Sequence, residues 1–311
     1  MKTLRTYLAE YLKLRHQLGF KLRLAGALLG QFVRYALAQK AAVITTELAL
    51  EWATQPADCQ PSQWAGRLGM VRRFAQYVSA SDPRTEVPPP GLLPYRYHRK
   101  PPYLYRDEEV RRLILTAREL ASPQHLRGAT ASTLFGLLAA TGMRVGEAIS
   151  LDRQDVDRQQ DLLTVRHAKG NRARLVPIHA STRKALQQYA RLRDQICPHC
   201  VSPSFFISER GARLTDCTVR YWFIRVSRQT GLRKPTDHRG PRLHDLRHLF
   251  SIKTLLQWYR TDQDVETHLP ELATYLGHRH VSDTYWYLSA TPELLQLATR
   301  RWVRSPGGTL S

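Results

Sequence analysis

The sequence predicts a mainly α-helical protein in two parts: a bundle of four short helices, then a larger α+β part with a small antiparallel sheet. Three observations carry this reading. Apolar residues recur at helical spacing from Leu4 to Val78. Prolines then crowd a stretch unsuited to helix. Beyond it, helical patterns are interrupted by two short strand-like segments around a Gly-Asn turn.

Leu4, Leu8, Tyr11, Leu12 and Leu18 define the first helix, and Gly19 is placed to stop it. Leu24, Leu28, Phe32 and Tyr35 repeat the pattern. A third helix begins after Thr45 or Thr46, with Glu47 in its first turn and Leu48 and Trp52 facing inward. A fourth carries Leu68, Val71, Phe74 and Val78. Lys13, Arg15, Lys21, Arg23, Arg67, Arg72 and Arg73 fall on the outward side, where they could lie along phosphates. Between Ser81 and Pro102, seven prolines (Pro83, Pro88, Pro89, Pro90, Pro94, Pro101 and Pro102) favour a stiff, extended connector. The expected division is a helical domain over 1–88, a linker over 89–102 and a second domain over 103–311.

The second domain opens with Asp107, Glu108 and Glu109 as the acidic first turn of a helix through Leu120. A buried helix through Leu134, Phe135, Leu137 and Leu138 ends near Thr141-Gly142. Leu162 to Arg166 and Arg174 to Ile178 are expected strands around Gly170-Asn171, and Phe205-Phe206-Ile207 a further short one. A helical region follows Thr215, with Gly231 as a stop.

Lys and Arg number 47 against 26 Asp and Glu, a net charge of +21. That excess attracts polyanions, of which nucleic acid is the commonest. With 42% hydrophobic residues a packed core is within reach. No apolar run approaches the roughly 20 residues needed to cross a bilayer, and the N-terminus has an amphipathic pattern instead of a signal-peptide core. Four cysteines in so long a chain make no disulfide framework. A bacterial cytoplasm, in association with the nucleoid, is the expected location. Cys197-Pro198-His199-Cys200 has metal-like spacing that Cys217 could complete; the competing reading is a loop with unpaired thiols, and no catalytic metal or cofactor is expected.

Four boxes carry the chemistry. Ala140-Thr141-Gly142-Met143-Arg144-Val145-Gly146-Glu147 sets Arg144 just past a helix end. Lys169 lies in the turn His167-Ala168-Lys169-Gly170-Asn171-Arg172, with Arg172 and Arg174 as nearby alternatives. Leu243-His244-Asp245-Leu246-Arg247-His248 puts His244 and Arg247 three apart, on one helical face. Leu276-Gly277-His278 precedes Tyr285-Trp286-Tyr287, with Tyr275 just before. Two arginines, two histidines, a lysine and a tyrosine suit attack on a phosphodiester. Guanidinium forks match the charge that develops on its non-bridging oxygens.

The order and spacing of these boxes resemble the tyrosine recombinases, the phage integrase family. The resemblance covers essentially the whole chain and is specific in the boxes, loose in the helical domain. It implies Arg144 and Arg247 as clamps on the scissile phosphate, supported by Glu147. His244 would hold the phosphate or take the nucleophile's proton. Lys169 would be general acid to the leaving 5′-oxygen, His278 one of the groups that stabilise the phenolate and relay its proton, and Tyr287, nine residues after His278, the nucleophile. Tyr285 would point away from Tyr287. The implied activity is site-specific recombination through a 3′-phosphotyrosyl intermediate and a Holliday junction, with neither ATP nor metal, in integration, excision or transposition. The implied partner is double-stranded DNA with a specific core site, bound by a tetramer on two sites, with related recombinases as candidate co-partners. The C-terminal helix, begun by Thr291, Pro292 and Glu293, would dock on a neighbouring protomer or on its own domain. Two rivals share the fold: a catalytically silent DNA-binding accessory subunit, and a type IB topoisomerase.

Overall fold

The computed structural model describes residues 2–95, 101–157, 159–166, 173–237, 240–289 and 291–304, with residue 289 and residues 301–304 by backbone alone. The chain divides into two compact units, Met1–Lys100 and Pro101–Ser311.

The first unit packs α1 (Leu4–Gln17), α2 (Arg23–Ala38), α3 (Thr46–Thr54) and α4 (Pro61–Ser79) around one apolar core. Local chemistry sets the starts. Thr3 accepts a hydrogen bond from the Thr6 amide, Thr45 from the Leu48 amide, and Pro61 opens α4 where no amide is needed. Phe32 meets the edge of Trp52, their ring centres 5.4 Å apart, at the centre of the core. Leu18 and Leu24, expected on inward faces, are instead 61% and 67% exposed. α1 ends at Gln17 and α2 begins at Arg23 after Leu22 in a left-handed conformation, so both leucines sit at the outer bend of the turn.

Two of the outward cations also turn home. The Arg67 guanidinium lies 3.8 Å from the centre of the Trp52 ring and donates to the Trp52 carbonyl, one of the unpaired acceptors ending α3. Arg72 donates to the carbonyls of Pro88 and Pro89. Lys13, Lys21, Arg23 and Arg73 remain exposed, while Arg15 stacks on Phe20. The proline-rich run begins by returning to the bundle: the Glu86 amide donates to Ile44, its carboxylate accepts from the Thr46 amide, and Leu93 joins the core.

The second unit contains α5 (Asp107–Arg118), α6 (Leu126–Thr141), α7 (Val145–Ile149), β1 (Val156–Asp157), β2 (Leu162–Val165) and β3 (Arg174–Pro177). Then follow α8 (Ala180–Ile196), α9 (Asp216–Gln229), α10 (Leu243–Arg260), α11 (Val265–Leu276), α12 (Ser282–Tyr285), a 3-10 turn over Trp286–Ser289 and α13 (Pro292–Arg304). The sheet is antiparallel in the order β1-β2-β3, with Leu163 opposite Val176 and both buried. The fold is thus mainly helical with a small antiparallel sheet. α8 is not among the expected helices, although its buried Leu186, Tyr189, Ala190 and Arg193 recur at helical spacing, whereas α11 runs unbroken through Pro270 within the region expected to be helical. Phe205-Phe206-Ile207 is not a strand. Its backbone pairing is limited to isolated bridges, Asp152 with Ser204 just before it and Ile207 at its end with Arg213. Its apolar character reflects burial, with Phe205 and Phe206 packed against Tyr189.

α5 and α6 approach closely at Gly128, where an added Cβ would lie 2.1 Å from the Arg118 carbonyl oxygen. Gly128→Ala should therefore cost about 1–3 kcal/mol, by forcing the two helices apart. A lowered urea midpoint is the expected reading; an unchanged one would mean the helices separate without penalty.

The cysteine segment packs as protein. The Cys200 thiol donates to the Gly211 carbonyl, Cys197 borders the core, and Cys217 is exposed on α9. Among the described residues, no group of three or more His, Cys, Asp or Glu is placed to hold a metal ion. None of the described helices is long and apolar enough to cross a membrane.

Candidate active site

Arg144 and His244 are placed by the same local device. In α7 the Glu147 carboxylate turns back to accept the Arg144 amide at 3.1 Å, and in α10 Asp245 accepts the Arg242 amide at 2.8 Å. Each carboxylate satisfies an amide that the helix start leaves unpaired. α10 is tied further to the unit's N-terminal side by Tyr105, whose hydroxyl donates to the Arg242 carbonyl.

α11 ends at Leu276, with Gly277 in a left-handed conformation. Three arginines converge on this end. Arg174 donates to the Tyr275 carbonyl at 2.8 Å, Arg247 to Leu276 at 2.7 Å, and Arg144 to Gly277 at 3.1 Å. Arg247 also donates to Gly142, the residue that caps α6, at 2.9 Å. The carbonyls at a helix C-terminus carry partial negative charge, so they receive guanidinium groups well. Glu147 neutralises part of the cluster: Oε1 accepts from Arg144 at 2.7 Å and from Arg174 at 3.1 Å, and Oε2 from Arg174 at 2.7 Å. Burial pushes the Glu147 carboxyl up, but the Arg174 hydrogen bonds and charge, then those of Arg144, hold it below its ordinary value.

Arg247 is 2% exposed. Burial, and then the Arg144 charge, brings its guanidinium down to about 10, so it stays protonated at neutral pH. His244 is exposed in the DNA-free protein, yet desolvation by the protein packed around it, and then the Arg247 charge, bring it down to about 4. At neutral pH it is therefore uncharged and able to accept a proton.

His278 follows the left-handed Gly277, and its Nδ1 lies 2.7 Å from the Thr284 hydroxyl. Its ring stacks on Tyr287 at 6.1 Å between centres, inclined by only 16°. Tyr287 sits in the 3-10 turn, 2% exposed, against His248 at 5.5 Å and Trp286 at 5.3 Å. Tyr285, two residues earlier on α12, is 54% exposed. α13 covers this region from its own chain. Leu294 is fully buried in the cluster that includes Tyr287, and the α13 start is capped by Thr291.

Arg144, Glu147, His244, Arg247, His278 and Tyr287 thus come from α7, α10, α11 and the turn beyond α12 into one region. Lys169 lies outside the described residues, between the ends of β2 and β3. Two further side chains belong to the region that the boxes did not single out. Arg174, weighed only as an alternative to Lys169, is a full member of the arginine cluster. His248 touches both His244, at 4.8 Å between ring centres, and Tyr287. The signal for Arg174 was its position at the start of β3, which the antiparallel pairing brings beside α11.

A sequence model described as the phage integrase family matches residues 104–293. A Sinorhizobium fredii protein, y4rB, named as a candidate integrase/recombinase, is 48% identical over 308 residues, covering 98% of each chain. The tyrosine recombinase XerC of Azotobacter vinelandii is 30% identical over 220 residues, 71% of this chain and 67% of the relative. Among solved structures, the Tn1549 transposon integrase in complex with transposon right end DNA superposes with a TM-score of 0.64 at 12% identity, over 96% of this chain and 99% of that one. The chain belongs to the phage integrase family, the tyrosine recombinases.

Proposed function

We propose that the protein cleaves and rejoins double-stranded DNA at a specific site, with Tyr287 attacking the phosphodiester to give a 3′-phosphotyrosyl link and a free 5′-hydroxyl. A hydroxyl from a partner duplex then reverses the step, and two such rounds pass through a Holliday junction in a tetramer on two sites. The observation that carries this reading is the convergence of Arg144 and Arg247 on one helix end beside Tyr287. Two guanidinium groups held before substrate arrives can meet phosphate charge with little reorganisation. Neutral His244 accepts the phenol proton, Lys169 protonates the leaving oxygen, and His278 orients the tyrosine ring or the phosphate. The exposed cations of the helical domain, Lys13, Lys21, Arg23 and Arg73, follow the DNA backbone. Kinship with a transposon integrase and with relatives named as recombinases favours the movement of a mobile element over topoisomerase activity. Such a protein works in the bacterial cytoplasm.

Because Tyr287 is 2% exposed, its attack requires the 3-10 turn to shift once DNA is bound. Test DNA can be obtained by selecting wild-type covalent adducts from a randomised duplex library. A nicked duplex carrying the selected site should trap the wild type and not Tyr287→Phe. Trapping by Tyr287→Phe but not Tyr285→Phe would move the nucleophile to Tyr285. Binding of duplex with no adduct from any pool would leave the accessory-subunit reading. Affinity should also fall steeply with salt, by about 0.9 log units per log unit of salt for each phosphate contact. A flat response would remove the electrostatic basis of binding.

A further inference from the structure

We propose that Arg174 is a positioning residue of the recombinase site: it does not reach the phosphate but locks Glu147, and through it Arg144, against the C-terminal end of α11. This rests on the recombinase reading only for the identity of the bound phosphate; the lock itself is a property of the DNA-free protein.

Arg174 spends its whole fork inside the protein. Nε donates to the Tyr275 carbonyl, while the two terminal nitrogens take the two oxygens of Glu147 at 3.1 and 2.7 Å. Its side chain is 9% exposed, whereas that of Arg144, on the same carboxylate, is 26% exposed. Arg174 is therefore the inner partner and Arg144 the outer one, open to an incoming oxyanion. A guanidinium suits the inner role because one planar group can serve a carboxylate side-on and a carbonyl at the same time. A lysine ammonium has no such fork.

The backbone is shaped around this group. A Cβ on Gly277 would lie 2.7 Å from one Arg174 terminal nitrogen and 2.9 Å from the guanidinium carbon, and Gly277 has φ +68°. Both the close approach and the left-handed conformation call for glycine. Gly277 immediately precedes His278 and offers the carbonyl that Arg144 uses. One contact thus couples β3, α7 and the turn leading to the tyrosine.

Charge gives the lock a chemical purpose. Arg144, Arg174 and Arg247 carry three positive charges and Glu147 one negative, a surplus of two. A phosphodiester brings one negative charge, and its five-coordinate transition state develops a second. The cluster therefore matches the transition state better than the ground state, the condition for acceleration. Without Arg174, Glu147 would face Arg144 in a largely buried place with one partner fewer, and its carboxyl would move up toward protonation. The other charged groups facing it are Arg247 of α10 and, beside β2, the Asp155–Arg166 pair. Neither Arg247 nor Arg166 contacts its oxygens in the hydrogen bonds that hold Glu147.

The first test needs no DNA. In the full chain, the Arg144 guanidinium resonances, assigned with Arg144→Lys, should be protected from solvent exchange in the wild type and averaged in Arg174→Met. Continued protection in a folded Arg174→Met protein would overturn the lock, whatever the protein's activity. The second uses the nicked duplex selected above. Arg174→Met should slow adduct formation by roughly a hundredfold at saturating DNA while affinity changes by less than about threefold. It should also gain an acid limb absent from the wild type, because Glu147 becomes protonatable; Glu147→Gln in the same background should remove that limb. Arg174→Lys should recover only part of the rate. An Arg174→Met rate within about threefold of wild type, or a loss with no change in pH profile, would sink the proposal. Gly277→Ala serves as the independent variant: it leaves Arg174 in place chemically but should displace it, and give the same acid limb.

Discussion

Arg247→Ala is expected to lower covalent capture of DNA by roughly a thousandfold or more while affinity for duplex falls less than about tenfold. The imbalance follows from where the residue sits. Arg247 is 2% exposed and ties the end of α6 to the end of α11, through the Gly142 and Leu276 carbonyls at 2.9 and 2.7 Å. It offers DNA little accessible charge, so few phosphate contacts are lost with it. What it supplies is a cation that is already dehydrated and oriented, and such groups act most strongly on charge that develops during reaction. Arg247→Lys should not restore the rate, because an ammonium lacks the spread planar fork whose two terminal nitrogens serve the Gly142 and Leu276 carbonyls separately. Both variants should be compared by adduct gels at saturating DNA and by fluorescence anisotropy. If Arg247→Ala lost affinity and cleavage equally, the residue would be an ordinary backbone contact.

The second large effect belongs to Glu147. Glu147→Ala should destabilise the protein by about 3–5 kcal/mol, because it leaves Arg144 and Arg174 facing each other without the buried carboxylate that separates their charges. The pH dependence follows from the lowered Glu147 pKa. The folded carboxyl gives up its proton more readily than the unfolded one, whose ordinary value is 4.5. Its contribution is therefore fully present above that value and is lost as pH falls through the lower, folded value. Wild type should lose stability on the acid side of about pH 4.5 more steeply than Glu147→Gln, and the two curves should run parallel above it. Urea unfolding between about pH 3 and pH 8 reads this directly. Parallel curves over the whole range would mean that Glu147 is not held ionised by its two arginines.

Much of the fold was legible because its signals are local. Thr45 before Glu47 and Leu48, and Gly142 after Thr141 at the end of α6, are punctuation that acts within a few residues. Burial along α2 and α4 follows the helical period from Phe32 and Leu68 onward. At other positions the residue pattern and the folded surroundings disagree. Leu18 and Leu24 fit a helical stripe in number, but the turn between α1 and α2 faces them outward. Phe205-Phe206-Ile207 has strand composition, yet finds its partners in side-chain packing against Tyr189. Arg67 and Arg72 count as surface charge in a sequence, and only the position of the Trp52 ring and of the Pro88 and Pro89 carbonyls draws them in.

The sequence by itself determined the class of fold and the family, and it named the candidate site residues: Arg144, Glu147, His244, Arg247, His278 and Tyr287 stand in its boxes, and Lys169 falls between the two strand segments. Their identity and spacing are linear information. Tertiary structure decided how the charges are balanced. Three guanidiniums gather at the end of α11 because helix-terminal carbonyls and one buried carboxylate can hold them there. No spacing along the chain states that Arg174 would share Glu147, or that Tyr287 would be enclosed by His248, His278 and the cluster containing Leu294 while Tyr285 faces solvent. Those outcomes depend on which helix ends meet in space. Electrostatic interaction falls off with distance through the folded protein, and that distance is fixed only when the elements pack.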